Sequence, residues 1–293
     1  MPVEVRYYTD PACSWSWGNE PKLRRLMWEF GDQLDFVWVM GGLAREYGPD
    51  YRDEEGRIGA GPDCFADLMA HWLDVAAETR MPIDPRLWTQ NPIASTYPAC
   101  QAVKAAAEQG SRAAYRYLRR LREGLMVEQR KLDHAEALVS AAGEAGLDAG
   151  RFRIDLASHA SIEAFAADLE EVRNPPAEAI ESDRVKVTEG HRRLSFPSAA
   201  FAGASGARGV WGRQPYEAYR DAALEAGAAV AEGRRPDLLE AIERFGRCAT
   251  RELEELTGTP RPSLEAQLWE LAGAWKLRPV EVGGGTMWEL IQG

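Results

Sequence analysis

Apolar residues crowd the first forty positions in two short runs separated by an amphipathic stretch. Val3, Val5, Tyr7 and Tyr8 predict a strand that begins almost at the first residue, and Leu34 to Met40, L-D-F-V-W-V-M, predicts a second, buried one. Between them, Asp10 and Pro11 end the first strand, and Ser14 to Phe30 carries Leu23, Leu26, Met27 and Phe30 at helical spacing. Strand, helix and strand in that order predict a βαβ unit with parallel strands and a right-handed crossover. Gly41-Gly42 ends it, and residues 44–62, with the run D-Y-R-D-E-E-G-R, predict an exposed loop.

The period then changes to helical. Phe65, Leu68, Met69, Trp72 and Val75 share one face of a first helix, and loops with Pro82, Pro85 and Pro92 follow. A helix from Tyr97 has Ser95 or Thr96 as N-cap and Pro98 in its first turn. Ser111 to Glu123, Asp133 to Ala145 and Ser158 to Val172 predict three more helices. Strand character returns at Leu194 to Phe201, L-S-F-P-S-A-A-F, where a proline implies an edge, a turn or a cis peptide. Gly209-Val210-Trp211 is its expected hairpin partner, and Pro215 opens a helix to about Leu224. The predicted order is β-α-β, helical insertion, β-β-α.

A tail from about Pro236 has its own pattern. Asp237 to Phe245, Thr250 to Leu256 with Thr250 as N-cap and Gly258 as stop, and Ser263 to Trp275 predict three helices. Arg278 to Val282 and Thr286 to Leu290 flank Gly283-Gly284-Gly285 as a hairpin, so the tail resembles a winged-helix module. Residues 237–293 hold six Lys plus Arg against ten Asp plus Glu, and the presumed recognition helix carries Glu265 and Glu270. That balance suits packing or a protein contact better than phosphate binding.

Composition narrows the function classes. With 293 residues and 45% hydrophobic content, the chain can bury one large core or two modest ones. A net charge of -11 argues against general affinity for nucleic acid or anionic membrane. No apolar window reaches the roughly 18 to 20 residues of a membrane span, and a cytoplasmic location is expected. Cys13, Cys64, Cys100 and Cys248 show no C-x-x-C spacing, which argues against a disulfide framework and against zinc. No glycine-rich phosphate loop follows a strand, so neither a metal nor a nucleotide is expected.

Candidate chemistry concentrates at Y-Y-T-D-P-A-C-S-W-S-W-G. Cys13 stands at a helix start, where orphan N–H groups and the helix dipole favour a thiolate. Trp15 and Trp17 either wall a substrate groove or belong to the core. Cys64, Cys100 and Cys248, inside helical patterns or the tail, read as inert small hydrophobes. His71 and His134 lack an evident acidic or nucleophilic partner and read as packing or surface residues.

A cysteine at the first helix start and a proline at the third strand resemble the DsbA family of thioredoxin-fold proteins, in its cytoplasmic FrnE-like branch. D-P-A-C-S-W-S-W stands where that family has D-x-x-C-P-W-C-x, and the resemblance covers about residues 1–230. It implies an α/β, thioredoxin-like fold, with residues 1–62 and 186–235 as the thioredoxin-like domain. Residues 63–185 are then the helical insertion and 236–293 the winged-helix-like module. It also implies Cys13 as nucleophile, Ser16 at the resolving position, and Pro197 as cis-proline preceded by Phe196, with Pro197 orienting the substrate. Serine cannot form a disulfide, so a dithiol cycle is not expected, although Ser16 can donate a hydrogen bond to a Cys13 thiolate.

Two function classes stay open. In one, Cys13 works as a monothiol on a thiol or disulfide substrate, small molecule or protein, with glutathione, mycothiol or bacillithiol resolving the intermediate, or with thiol-dependent transfer or isomerisation. Kappa-class glutathione transferases and 2-hydroxychromene-2-carboxylate isomerases are similar in architecture and use a serine near the first helix. In the other, the chain resembles DsbA-like adaptors that present a regulator to a cytoplasmic protease, the redox cycle being lost. The tryptophan-bearing tail offers a surface for a homodimer.

Overall fold

The computed structural model describes residues 1–48, 51 and 64–291. β1 (Val3–Thr9) and β2 (Leu34–Met40) form where the apolar runs lie and pair in parallel, Val3 with Leu34 through to Thr9 with Met40. The crossover is two helices, α1 (Ser14–Gly18) and α2 (Glu20–Phe30), where the spacing predicted one. Pro21 explains the break: it has no N–H to give the carbonyl of Trp17, and the Asn19 N–H turns back to Ser16 O at 3.2 Å.

The insertion holds α3 (Cys64–Thr79), α4 (Leu87–Gln90), α5 (Tyr97–Ala107), α6 (Ser111–Met126), α7 (Ala135–Glu144), α8 (Ala149–Leu156), α9 (His159–Arg173) and α10 (Ala177–Glu181). Of these, α4, α8 and α10 were not expected. Ser95 Oγ accepts from Tyr97 N at 3.1 Å at the start of α5. The loop expected over 44–62 lies outside the described residues from 49 on, except Tyr51. Tyr47 and Tyr51 are buried against each other, and Tyr47 sits edge-on to Trp88, so this part of the loop is packed and not exposed.

An unpredicted hairpin of β3 (Val185–Thr188) and β4 (His191–Leu194) follows, with Glu189 and Gly190 at positive φ in its turn. The single strand expected over 194–201 is thus two pieces: β4 ends at Leu194, and β5 (Ser198–Gly203) begins after a cis Phe196–Pro197 bond. β5 runs antiparallel to β1, Tyr8 opposite Ser198, and β6 (Gly206–Val210) completes a sheet of order β2-β1-β5-β6 before α11 (Tyr216–Glu225).

The tail comprises α12 (Leu238–Phe245), β7 (Cys248–Ala249), α13 (Thr250–Thr257), α14 (Arg261–Gly273), β8 (Leu277–Val282) and β9 (Gly285–Leu290), its sheet ordered β7-β9-β8. The three helices and the hairpin fall where expected, and β7 is an addition. Ala249, not Thr250, occupies the α13 N-cap; Glu252 accepts from its N–H at 2.7 Å, while Thr250 Oγ1 accepts from Trp288 Nε1 at 2.9 Å. Gly258 stops the helix in the left-handed conformation.

α13 lies along α2, and buried charges join the tail to the sheet domain. Glu252 meets Arg119 at 2.7 Å and Arg24 at 3.3 Å. Arg119 also pairs with Glu123 at 2.7 Å, and Arg122 with Glu20. Arg24 donates to the carbonyls of Phe245 and Arg247, each at 3.1 Å, and to Cys248 Sγ at 3.0 Å. Arg24, Arg119 and Arg122 thus face Glu20, Glu123 and Glu252, all six nearly out of water, and the half-buried Arg120 joins them at 3.2 Å from Glu123.

Candidate functional site

Cys13 caps α1 from an extended backbone, and its sulfur accepts from Ser16 N at 3.4 Å. The sequence placed it correctly, but its ionisation is the reverse of the expectation. The residue is 6% exposed, and burial pushes the thiol above its ordinary value. The Ser16 hydroxyl and N–H pull it down, the buried Asp10 carboxylate pushes it up, and Arg122 pulls weakly down. Burial outweighs them. A five-residue helix also supplies little dipole to oppose it.

Ser16 is fully buried, and its Oγ has no well-formed hydrogen-bond partner among the described residues, so its hydroxyl reaches the sulfur only at poor geometry. Asp10 holds the turn before the thiol: its carboxylate accepts from Ala12 N and Leu43 N, each at 2.8 Å, and from Cys100 Sγ at 3.2 Å. Cys100 is therefore a buried partner of Asp10, and Cys248 a partner of Arg24. All four cysteines are free and buried.

Cys13 lies on a groove of about 820 Å³, counting its open mouth, whose wall also includes Ser14, Trp15, His71 and Phe196. Trp15 is half-buried at the rim, edge-on to His71 with centroids 6.0 Å apart, and Arg213 stacks on its outer side at 4.3 Å. Trp17 does not line the groove. It is fully buried, donates to Pro82 O at 2.9 Å and carries Arg119 on its ring at 4.4 Å, so it is core. Phe196 reaches the groove because Gly41 has no side chain: a Cβ there would come within 1.9 Å of its ring. Pro197 is buried and leads into Ser198, the residue opposite Tyr8.

His71 is the residue that sequence reasoning set aside. Its Nε2 stands 3.3 Å from Ser14 Oγ beside Cys13. The signal that could have found it is its position one residue before Trp72 on the first helix of the insertion, the element that resemblance lays over the site. His134, by contrast, is exposed at the start of α7. Lys186, Thr188 and Arg193 of the unpredicted hairpin complete the wall. Among the described residues no group of three or more His, Cys, Asp or Glu side chains is placed to hold a metal ion, and no helix is long and apolar enough to cross a membrane.

The strand–helix–strand unit with a cysteine at its first helix, together with most of the helical insertion, falls largely within residues 7–174, which match the thioredoxin family model; the cis-proline and the antiparallel return lie beyond that match. The chain belongs to the thioredoxin family. Solved structures of similar fold include a DsbA oxidoreductase and a disulfide reductase. A probable DsbA oxidoreductase from Streptomyces coelicolor superposes with a TM-score of 0.52 at 21% identity, covering 80% of this chain and 97% of that one. The cytosolic disulfide reductase DsbM from Pseudomonas aeruginosa superposes with a TM-score of 0.50 at 20% identity, covering 70% and 88%. These show the fold. Among curated proteins, the ClpXP adapter protein SpxH of Halalkalibacterium halodurans is 31% identical over 172 residues, 58% of this chain and 54% of that protein. SpxH of Bacillus subtilis aligns at 25% over 294 residues, 99% of this chain and 90% of its own length. The chain spans about half the length of the first curated relatives it matches.

Proposed function

We propose that this thioredoxin-family chain is a protein-binding adaptor of the cytoplasm, presenting a client protein to a ClpXP-type protease, and not a turnover oxidoreductase. The observation that carries this reading is the alignment with the ClpXP adapter protein SpxH of Bacillus subtilis over 99% of this chain, and the condition of Cys13 agrees with it. The thiolate is the nucleophile in disulfide exchange, and here burial disfavours it while Ser16 occupies the place of a resolving thiol. The fold then serves as a docking scaffold whose groove keeps its shape without the redox step. The alignment that runs through the tail of the Bacillus subtilis adaptor supports giving the tail a share of that role. We read the tail as a winged-helix-like contact module whose acidic balance and exposed Trp269 and Trp275 suit a protein and not nucleic acid.

One observation favours the monothiol reading: the Ser14–His71 contact lies beside Cys13 on the same groove wall. In that reading glutathione, mycothiol or bacillithiol occupies the groove against Phe196, which lines it, while Pro197 is buried behind that wall. A reconstituted ClpXP reaction decides between the two, using a client captured by the tagged full-length chain. The adaptor reading expects client degradation to be accelerated equally by wild type and Cys13→Ala. Loss of the acceleration in Cys13→Ala overturns it.

A further inference from the structure

The four-stranded sheet has two edges, and they are finished differently. On the outer side of β2, side chains of the insertion answer the backbone. Ser111 Oγ donates to Phe36 O and Lys104 Nζ to Trp38 O at 3.0 Å, while Met40 N donates to Asp168 Oδ2 at 2.8 Å. β6 is the other edge. Its hairpin with β5 closes on the Gly203–Gly206 pair, so Gly206, Arg208 and Val210 exchange backbone bonds with β5, and Ala207 and Gly209 turn theirs outward. Among the described residues no strand pairs that outer side, and of its four outward groups only Ala207 O has a partner, Arg208 Nη1 at 3.2 Å.

A cleft of about 770 Å³, counting its open mouth, runs along this edge and shares no described lining residue with the groove beside Cys13. On one face of β6, α11 supplies the small apolar residues Ala218 and Ala222 beside Val210, and its Glu225 draws Arg208 back onto the helix. On the other face the Trp211 ring lies over Gly209, where a Cβ would come within 2.1 Å of it, and Trp211 Nε1 donates to Glu178 Oε2 at 3.4 Å. Exposed edges are commonly guarded by proline, by a bulge or by a covering element. This one presents alanine and glycine.

An open row of backbone donors and acceptors selects one class of partner, an extended strand whose own N–H and C=O groups meet them. Successive side chains of such a strand point to opposite faces, so one set rests on Val210, Ala218 and Ala222 and the other on the Trp211 ring. Alternating β-branched residues suit both walls. A second copy of this chain fits less well, because the register that sets Ala207 opposite Gly209 in each direction puts the two Arg208 side chains face to face. We infer that β6 takes an extended segment of the client protein as a fifth strand of the sheet, held by the backbone of Ala207 and Gly209. This rests on the protein-binding reading and adds the place and the kind of segment bound.

The full-length protein is screened on an immobilised library of short random peptides, and the tightest binder is remade with each backbone N–H methylated in turn. Methylation weakens binding by about tenfold at every second amide and far less at those between, because only alternate N–H groups of an added strand face β6. Ala207→Pro removes an outward N–H but no bond to β5, and it abolishes binding, whereas Ala207→Val retains it. In the reconstituted ClpXP reaction Ala207→Pro no longer accelerates client degradation and Ala207→Val does. Circular dichroism melting establishes that both variants fold, and the methylation scan needs only wild type. A scan without the alternation, or peptide binding unchanged in folded Ala207→Pro, overturns the inference. So does client degradation by folded Ala207→Pro at the wild-type rate, a result that leaves the adaptor reading standing.

Discussion

Glu252→Gln tests whether the tail and the sheet domain are one cooperative unit. The substitution keeps the size of the side chain and an oxygen to accept from Ala249 N, but it removes the charge shared by Arg119 at 2.7 Å and Arg24 at 3.3 Å. Both arginines are buried, so the substitution leaves them with one buried counter-charge fewer. Removing one partner of such a pair costs about 3–5 kcal/mol, because the remaining charge stays desolvated. A domain has about 5–15 kcal/mol in total. With a urea dependence of about 2–3 kcal/mol per M, the midpoint falls by about 1–2.5 M. Equilibrium urea unfolding followed by tryptophan fluorescence and by far-ultraviolet circular dichroism reads this out, and the two signals should move together in one transition. A loss under about 1 kcal/mol, or a tail that unfolds at lower urea while the sheet domain stays unchanged, would refute the reasoning.

Further predictions follow from the site and its support. Iodoacetamide reacts with Cys13 more slowly than with free glutathione at pH 7, and the rate climbs only in alkaline solution, because burial holds the thiol above its ordinary value; a rate plateau below pH 7 contradicts this. Trp17→Ala costs about 3–5 kcal/mol in urea unfolding, whereas Trp15→Ala at the groove rim changes stability far less. Glu20 opposes the cost of burial with Arg122, Arg119 and Arg24 and is held below its ordinary value. Its contribution is therefore complete above the unfolded glutamate range and is lost as pH falls through the lower folded value. Glu20→Gln flattens this acid limb of stability, and an unchanged limb counts against it.

β1 and β2 were legible because each is buried over most of its length, which leaves a continuous apolar run such as Phe36 to Met40. The α1–α2 break was not, since the 3.6-residue period continues past it, although Pro21 carried the signal. The β3–β4 hairpin was hidden by its charge: Val185, Val187 and Leu194 are its only apolar members, and Glu189-Gly190 is a turn pair easily read as loop. Cys13 could be placed from its helix start, but its ionisation could not, because burial comes from elements distant in sequence. Likewise Arg24, Arg119 and Glu252 look like ordinary surface charges along the chain, and only the packing of α13 on α2 brings them together.

In the adaptor reading Cys13 marks a binding groove and not a turnover centre. Release of glutathione from a glutathionylated peptide, measured with the full-length chain and excess glutathione, tests it most directly. The expected rate is no higher than with glutathione alone and is the same for wild type and Cys13→Ala; multiple turnovers by wild type that vanish in Cys13→Ala overturn the reading.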